Sequence, residues 1–226
     1  MPESYLKRSL NTEIAVSAPR PALRGRSHLL AAIVAWPVGI VAVIGAAPGA
    51  ERLAVASFAF GAAIMFTCSA LLHFRRWDAF MHERLFRLDH SGIYCTIGGT
   101  TAAIALLGLD GWLQQALLVG AGIGTGVGIV LEWLPFAPPR GLSNTVYITL
   151  GWLPILVLPW LWVGSGALVV LLIVAGGVLY TSGAIIVAVR RPDLMPGWFG
   201  YHELFHVFVI IAVLLHARAV ALLIAA

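Results

Sequence analysis

Seven long apolar runs dominate the chain, near residues 29–47, 53–73, 90–109, 112–131, 143–163, 165–189 and 203–224. A helix needs roughly 20 apolar residues to cross a bilayer, so each run predicts one spanning helix. The breaks between runs are short, which predicts antiparallel packing of neighbours in a bundle. Prolines at 37, 154 and 159 fall inside spans 1 and 5 and predict kinks there. The break between spans 2 and 3 is the longest. Its Trp77 to Arg84 stretch predicts a short interfacial helix.

Composition supports this pattern. The chain is 60% hydrophobic and 11% charged over 226 residues, which would expose too much apolar surface in an ordinary soluble domain. The expectation is an all-α membrane protein, a seven-transmembrane helix bundle and multi-pass component of the cytoplasmic (plasma) membrane. Residues 1–28 form a polar basic tail and residues 29–226 the transmembrane domain. The tail has no apolar core of its own. A signal-peptide reading of span 1 is disfavoured, because the basic segment ahead of it is long and the run itself is long enough to span.

Charge sets the orientation. With the N-terminus cytoplasmic, the tail, loop 2–3, loop 4–5 and loop 6–7 hold twelve of the fourteen Lys and Arg residues. Arg52 and Arg218 remain on the far side, where the C-terminus lies. This is the positive-inside bias, so the net charge of +4 reads as a topology signal. No nucleic-acid partner is expected, because no basic stripe with interleaved aromatics occurs. Cys68 and Cys95 read as buried small hydrophobes, not a disulfide. Glycines 120, 122, 124, 126 and 128 do not make a dinucleotide loop, since they lie within an apolar span. Gly120, Gly124 and Gly128 share one helix face and predict close helix packing.

Against this apolar background the ionisable residues stand out. His202 and His206 are spaced i and i+4, on one helix face, which suits two imidazoles sharing a metal ion. Given the orientation, His73 near the end of span 2, Ser69 one turn deeper and Asp89 in the first turn of span 3 share their depth. Three histidines match a catalytic zinc site with an open fourth position. Zinc lowers the pKa of bound water to about 7, a carboxylate such as Asp89 accepts its proton, and a hydroxyl such as Ser69 donates to a developing oxyanion. The bland alternative is a set of polar residues hydrogen-bonding inside a bundle. His90 points about 100° away from Asp89 and reads as structural or as support to the ligands. His82 reads as a solvated loop residue, and His28 and His216 as helix-end residues.

Glu203 completes His-Glu-x-x-His, the pattern in which Glu is the general base of a metalloprotease. Leu109-Asp110-Gly111 spells a ligand motif of intramembrane proteases, but the topology puts it across the membrane from His202. Glu203 is then an interfacial residue or a support to the ligands.

In combination, Ser69-Ala-Leu-Leu-His73, Arg87-Leu-Asp89-His90-Ser91-Gly-Ile93, Gly176-Gly-Val-Leu-Tyr180-Thr-Ser-Gly183 and Gly200-Tyr-His202-Glu-Leu-Phe-His206 resemble the hemolysin III family. That family lies within the progestin and adipoQ receptor group and its ceramidase-like superfamily. The Arg190-Arg-Pro-Asp193 approach to span 7 is also similar. The resemblance implies a seven-helix fold with the N-terminus inside, zinc (Zn2+) on His73, His202 and His206, and Asp89 and Ser69 close to zinc-bound water. One departure is Thr101-Ala102-Ala103 after Gly99-Thr100, where many relatives continue with Gly-Thr-Tyr-Thr-Pro. Three functions follow as expectations. The first is a zinc-dependent hydrolase of a lipid amide or ester at the inner leaflet, with membrane lipid as its partner. The second is a non-enzymatic sensor, receptor or membrane-active protein with structural zinc. The third is an intramembrane metalloprotease using Glu203.

Overall fold

The computed structural model describes residues 20–135 and 142–226. Most of the basic tail, including Lys7 and Arg8, and the loop residue Arg140 lie outside the described residues. Seven helices long and apolar enough to cross a membrane occur among the described residues. They are α1 (Arg26–Gly45), α2 (Ala50–Phe74), α3 (Ala79–Gly108), α4 (Gly111–Glu132), α5 (Leu142–Ser165), α6 (Ala167–Val189) and α7 (Tyr201–Ile224). The only strand-like pairing among these residues is a single bridge between Met195 and Phe199. The chain is a multi-pass integral membrane protein.

Three expectations need correction. Trp77 to Arg84 does not form a separate interfacial helix. Asp78 caps α3 by accepting from the Met81 N–H at 2.9 Å, and the helix then runs unbroken for 30 residues. A good N-cap satisfies an otherwise orphan backbone donor, so α3 starts about three turns earlier than its apolar run. Asp89 therefore sits well inside the helix instead of in its first turn. His82 is likewise no solvated loop residue. It lies near the start of α3, half-buried, and lines the central cavity.

The prolines act as expected in α5. It is an α-helix over Leu142–Gly151, a 3-10 turn over Leu153–Val157 and an α-helix over Leu158–Ser165. Pro154 and Pro159 each remove a backbone donor at these joints. The small-residue face of α4 packs as its spacing predicts. A Cβ on Gly120, Gly124 or Gly128 would press on Leu153, Leu150 or the Tyr94 ring, whereas Gly122 and Gly126 have open space. Cys68 and Cys95 are free thiols.

Packing leaves a tunnel along the bundle. α2 pairs closely with α1 and α3, and α6 with α7. At the end reached by the C-terminus, Ile104, Leu117, Leu161, Val169, Ala219 and Leu223 form a continuous apolar plug. Between that plug and the opposite end lies a cavity of about 510 Å³. Its wall comes from α2, α3, α5, α6 and α7, with His28 of α1.

Candidate metal centre

The cavity's polar residues concentrate at the end where α1, α3 and α7 begin and α2 stops. Ser69 and His73 occupy the last two turns of α2, both nearly excluded from solvent. His202 lies in the first turn of α7, and His206 one turn further, 1% exposed. The helices are 129 residues apart in sequence at this point, yet His73 Nε2 and His202 Nε2 stand 3.2 Å apart. One ligand atom from each of His73, His202 and His206 fits within a sphere where all pairs are 4.8 Å apart or less. Two nitrogens on one tetrahedral zinc at 2.0–2.1 Å would be separated by roughly 3.3 Å, so the spacing fits such an ion. A second observation agrees: His206 Nδ1 is buried with no hydrogen-bond partner.

Asp89 reaches the same point from α3, its Oδ2 3.6 Å from His73 Nε2. Ser69 and Asp89 line the cavity with His73 and His202. His90 also lines the cavity but is not among the three histidines that cluster. Its Nδ1 lies 3.0 Å from the Phe86 carbonyl, and its ring packs on Phe86 at 4.2 Å between centroids.

Glu203 is occupied elsewhere. Its carboxylate pairs with Arg24 Nε and accepts from the Gly200 N–H at 2.9 Å. That second bond caps α7, where a carboxylate also meets the positive end of the helix dipole. Arg24 is delivered by the segment ahead of α1. Ala22 and Leu23 donate backbone hydrogen bonds to the Gly197 and Trp198 carbonyls of the α6–α7 loop, at 2.9 and 3.2 Å. Gly25 follows, with φ +76° and the His73 backbone so close that a Cβ would collide with it. Only glycine meets both demands. Glu203 thus ties helix α7 to the N-terminal segment, and His202 and His206 flank it in the sequence.

Two buried residues were not foreseen as part of the site. His28 stacks on His206 in parallel, 3.8 Å between ring centroids and 7° between planes. Both of its ring nitrogens are buried without partners. Its position gave a usable signal, because span 1 and span 7 start at the same end and His28 lies in the first turn of α1. His216 is 8% exposed and faces the cavity deeper in the bundle; a lone histidine near a helix end carried no comparable signal.

A mouth of opposite character adjoins the centre. Arg20, Arg24, Arg26, Arg75 and Arg76 line a groove of about 620 Å³ that also touches His73. Arg20 Nη1 donates to the Arg75 carbonyl at 2.6 Å. Burial, and then the neighbouring charges of Arg24 and Arg76, lower the Arg20 pKa from its ordinary value.

The family described as Haemolysin-III related matches residues 16–217. The chain belongs to the haemolysin III family. It is 30% identical over 191 residues to a protein of Bacillus cereus named Hemolysin-3, covering 81% of this chain and 82% of that relative. It is 28% identical over 191 residues to the Hemolysin-3 homolog of Bacillus subtilis (strain 168), covering 81% and 84%. All the residues of the centre lie within the matched region of this haemolysin III family protein.

Proposed function

We propose that this protein is a zinc-dependent hydrolase of a lipid amide or ester, working at the membrane boundary where the histidines converge. One observation carries the reading: three imidazoles and a carboxylate meet at one end of a mainly apolar, plugged cavity. A structural zinc knot would need no such cavity beside it. His73, His202 and His206 would hold the ion, which supplies Lewis acidity and makes water nucleophilic near neutral pH.

The chain's own groups divide the remaining work. The Asp89 carboxylate takes the proton of the attacking water and can return it to the leaving amine or alcohol. The Ser69 hydroxyl, one turn deeper on the His73 face, donates to the oxygen that gains charge. The apolar wall beyond them seats the acyl chain and keeps bulk water from it. The arginine groove at the mouth suits a polar or anionic headgroup. Glu203, paired with Arg24 and capping α7, is a positioning residue, which argues against the metalloprotease reading. The name Hemolysin-3 borne by its relatives supports a second function, a membrane-active protein that lyses cells without hydrolysis.

Purified protein should contain about one zinc per chain, and His202→Ala with His206→Ala should remove it. Unchanged metal content in that double variant would sink the metal assignment. Release of fatty acid from a panel of lipid amides and esters should depend on zinc and vanish in Asp89→Asn, while metal content stays. Zinc-loaded protein that lyses erythrocytes but releases no fatty acid would favour the second function.

A further inference from the structure

The cavity does not end at the histidines. It continues to His216 of α7 and Tyr180 of α6. Ten residues separate His206 from His216, about 15 Å along the helix axis, and fourteen residues from His202 bring His216 back to within about 40° of that residue's face. Side chains lean toward the start of their own helix. α6 and α7 are antiparallel, so Tyr180 leans toward the plugged end and His216 leans away from it. The two rings meet at 5.7 Å between centroids.

The meeting is built into the sequence. Gly176, one turn from Tyr180, lies where a Cβ would strike the His216 ring. Gly176 and Tyr180 belong to the Gly-Gly-Val-Leu-Tyr-Thr-Ser-Gly stretch that the metal centre leaves unexplained. His216 Nε2 lies 3.1 Å from the Ile173 carbonyl. A carbonyl only accepts, so Nε2 carries the proton and the neutral ring presents Nδ1 as an acceptor. That Nδ1 is buried and unpartnered, and so is the Tyr180 hydroxyl. Unmet polar groups this deep carry a penalty unless a bound group or water serves them.

We propose that His216 and Tyr180 form a second polar subsite in the cavity, which takes a hydroxyl on an otherwise apolar chain about 15 Å beyond the histidine cluster. A hydroxyl donates to His216 Nδ1 and accepts from the Tyr180 O–H, satisfying both. A ketone only accepts and leaves Nδ1 unpaired; a methylene leaves both unpaired. The ligand class is a hydroxylated acyl chain with its carboxyl-derived end at His73, His202 and His206. That placement of the reacting end rests on the hydrolase reading; the subsite itself rests on the cavity wall.

The test uses ricinoleate and oleate, which differ by one mid-chain hydroxyl. Their affinities are compared by displacement of a fluorescent fatty acid from the full-length protein in phosphatidylcholine nanodiscs. The wild type should bind ricinoleate about tenfold more tightly. Tyr180→Phe, which keeps the ring, and His216→Leu should each reduce the ratio of ricinoleate to oleate affinity. Equal affinities in the wild type would mean that water alone serves the two groups, and would overturn the proposal. A tenfold preference surviving in both variants would overturn it too. A hydroxyl preference in zinc-loaded wild-type protein that hydrolyses none of the lipid amides and esters sinks the hydrolase and keeps the subsite. Hydrolysis of lipid amides without the preference sinks the subsite alone.

Discussion

Replacing Glu203 by Gln separates a catalytic carboxylate from a structural one. Gln keeps the size and the carbonyl that accepts from the Gly200 N–H, and loses only the charge that faces Arg24. The magnitude is bracketed by burial. An exposed ion pair contributes up to about 1 kcal/mol, and removing one partner of a fully buried pair costs about 3–5 kcal/mol. Glu203 is 2% exposed and Arg24 19%, so water still reaches the guanidinium and the loss should fall between those limits, about 2 kcal/mol. For a chain of this length that is roughly 4–8 °C in Tm. The assay is thermal unfolding in detergent followed by tryptophan fluorescence, the chain having eight tryptophans. Arg24→Met should destabilise at least as much, because it strands a buried carboxylate. The double variant should be less damaged than the sum of the two, by about 2 kcal/mol. Metal content and turnover per folded molecule should stay at the wild-type level. Abolished turnover in Glu203→Gln with an unchanged Tm would refute the reasoning and restore the metalloprotease.

Three further outcomes are expected. Gly128→Ala should destabilise by about 1–3 kcal/mol, because its methyl would overlap the fully buried Tyr94 ring; Gly122→Ala and Gly126→Ala, with open space around them, should be neutral or slightly stabilising in the same unfolding assay. His28→Ala should weaken zinc binding roughly tenfold, as loss of a group that supports a metal ligand does, while His28→Phe keeps a ring against His206 and most of the affinity; competition with a fluorescent chelator reads both. Chelation of the metal should lower Tm and added zinc should restore it in a concentration-dependent way, the stabilisation reaching about 4 kcal/mol at a thousandfold excess of free zinc over Kd; a Tm indifferent to zinc would deny that the ion binds the folded bundle.

The seven helices were legible because the bilayer asks for one thing, some twenty apolar residues without interruption. The capped start of α3 was not, because Asp78 and the polar turns after it extend the helix beyond its apolar stretch; capping chemistry, not hydropathy, decided that boundary. His73, His202 and His206 converge because i,i+4 spacing and shared depth constrain both the face and the level of each side chain. His28 satisfied the same depth test and went unused for want of a partner on its own face, its partner being the ring of His206. His216 and Tyr180 were beyond reach, since their meeting depends on how α6 lies against α7. Gly176 makes that approach possible, but a glycine in an apolar span names no neighbour.

The His-Glu-x-x-His pattern shows why a motif needs its surroundings. On a soluble helix the glutamate could turn toward the metal unopposed. Here Glu203 follows directly on the chain's turn into α7, where the Gly200 N–H lacks a helical partner and Arg24 arrives from the other end of the sequence. Both interactions occupy the carboxylate and hold it away from the role of proton acceptor. Asp89 has the opposite setting: it comes from a different helix, touches His73, and faces the cavity. The carboxylate that can meet a substrate is therefore the one outside the motif, and the one inside it fixes the frame on which His202 and His206 stand.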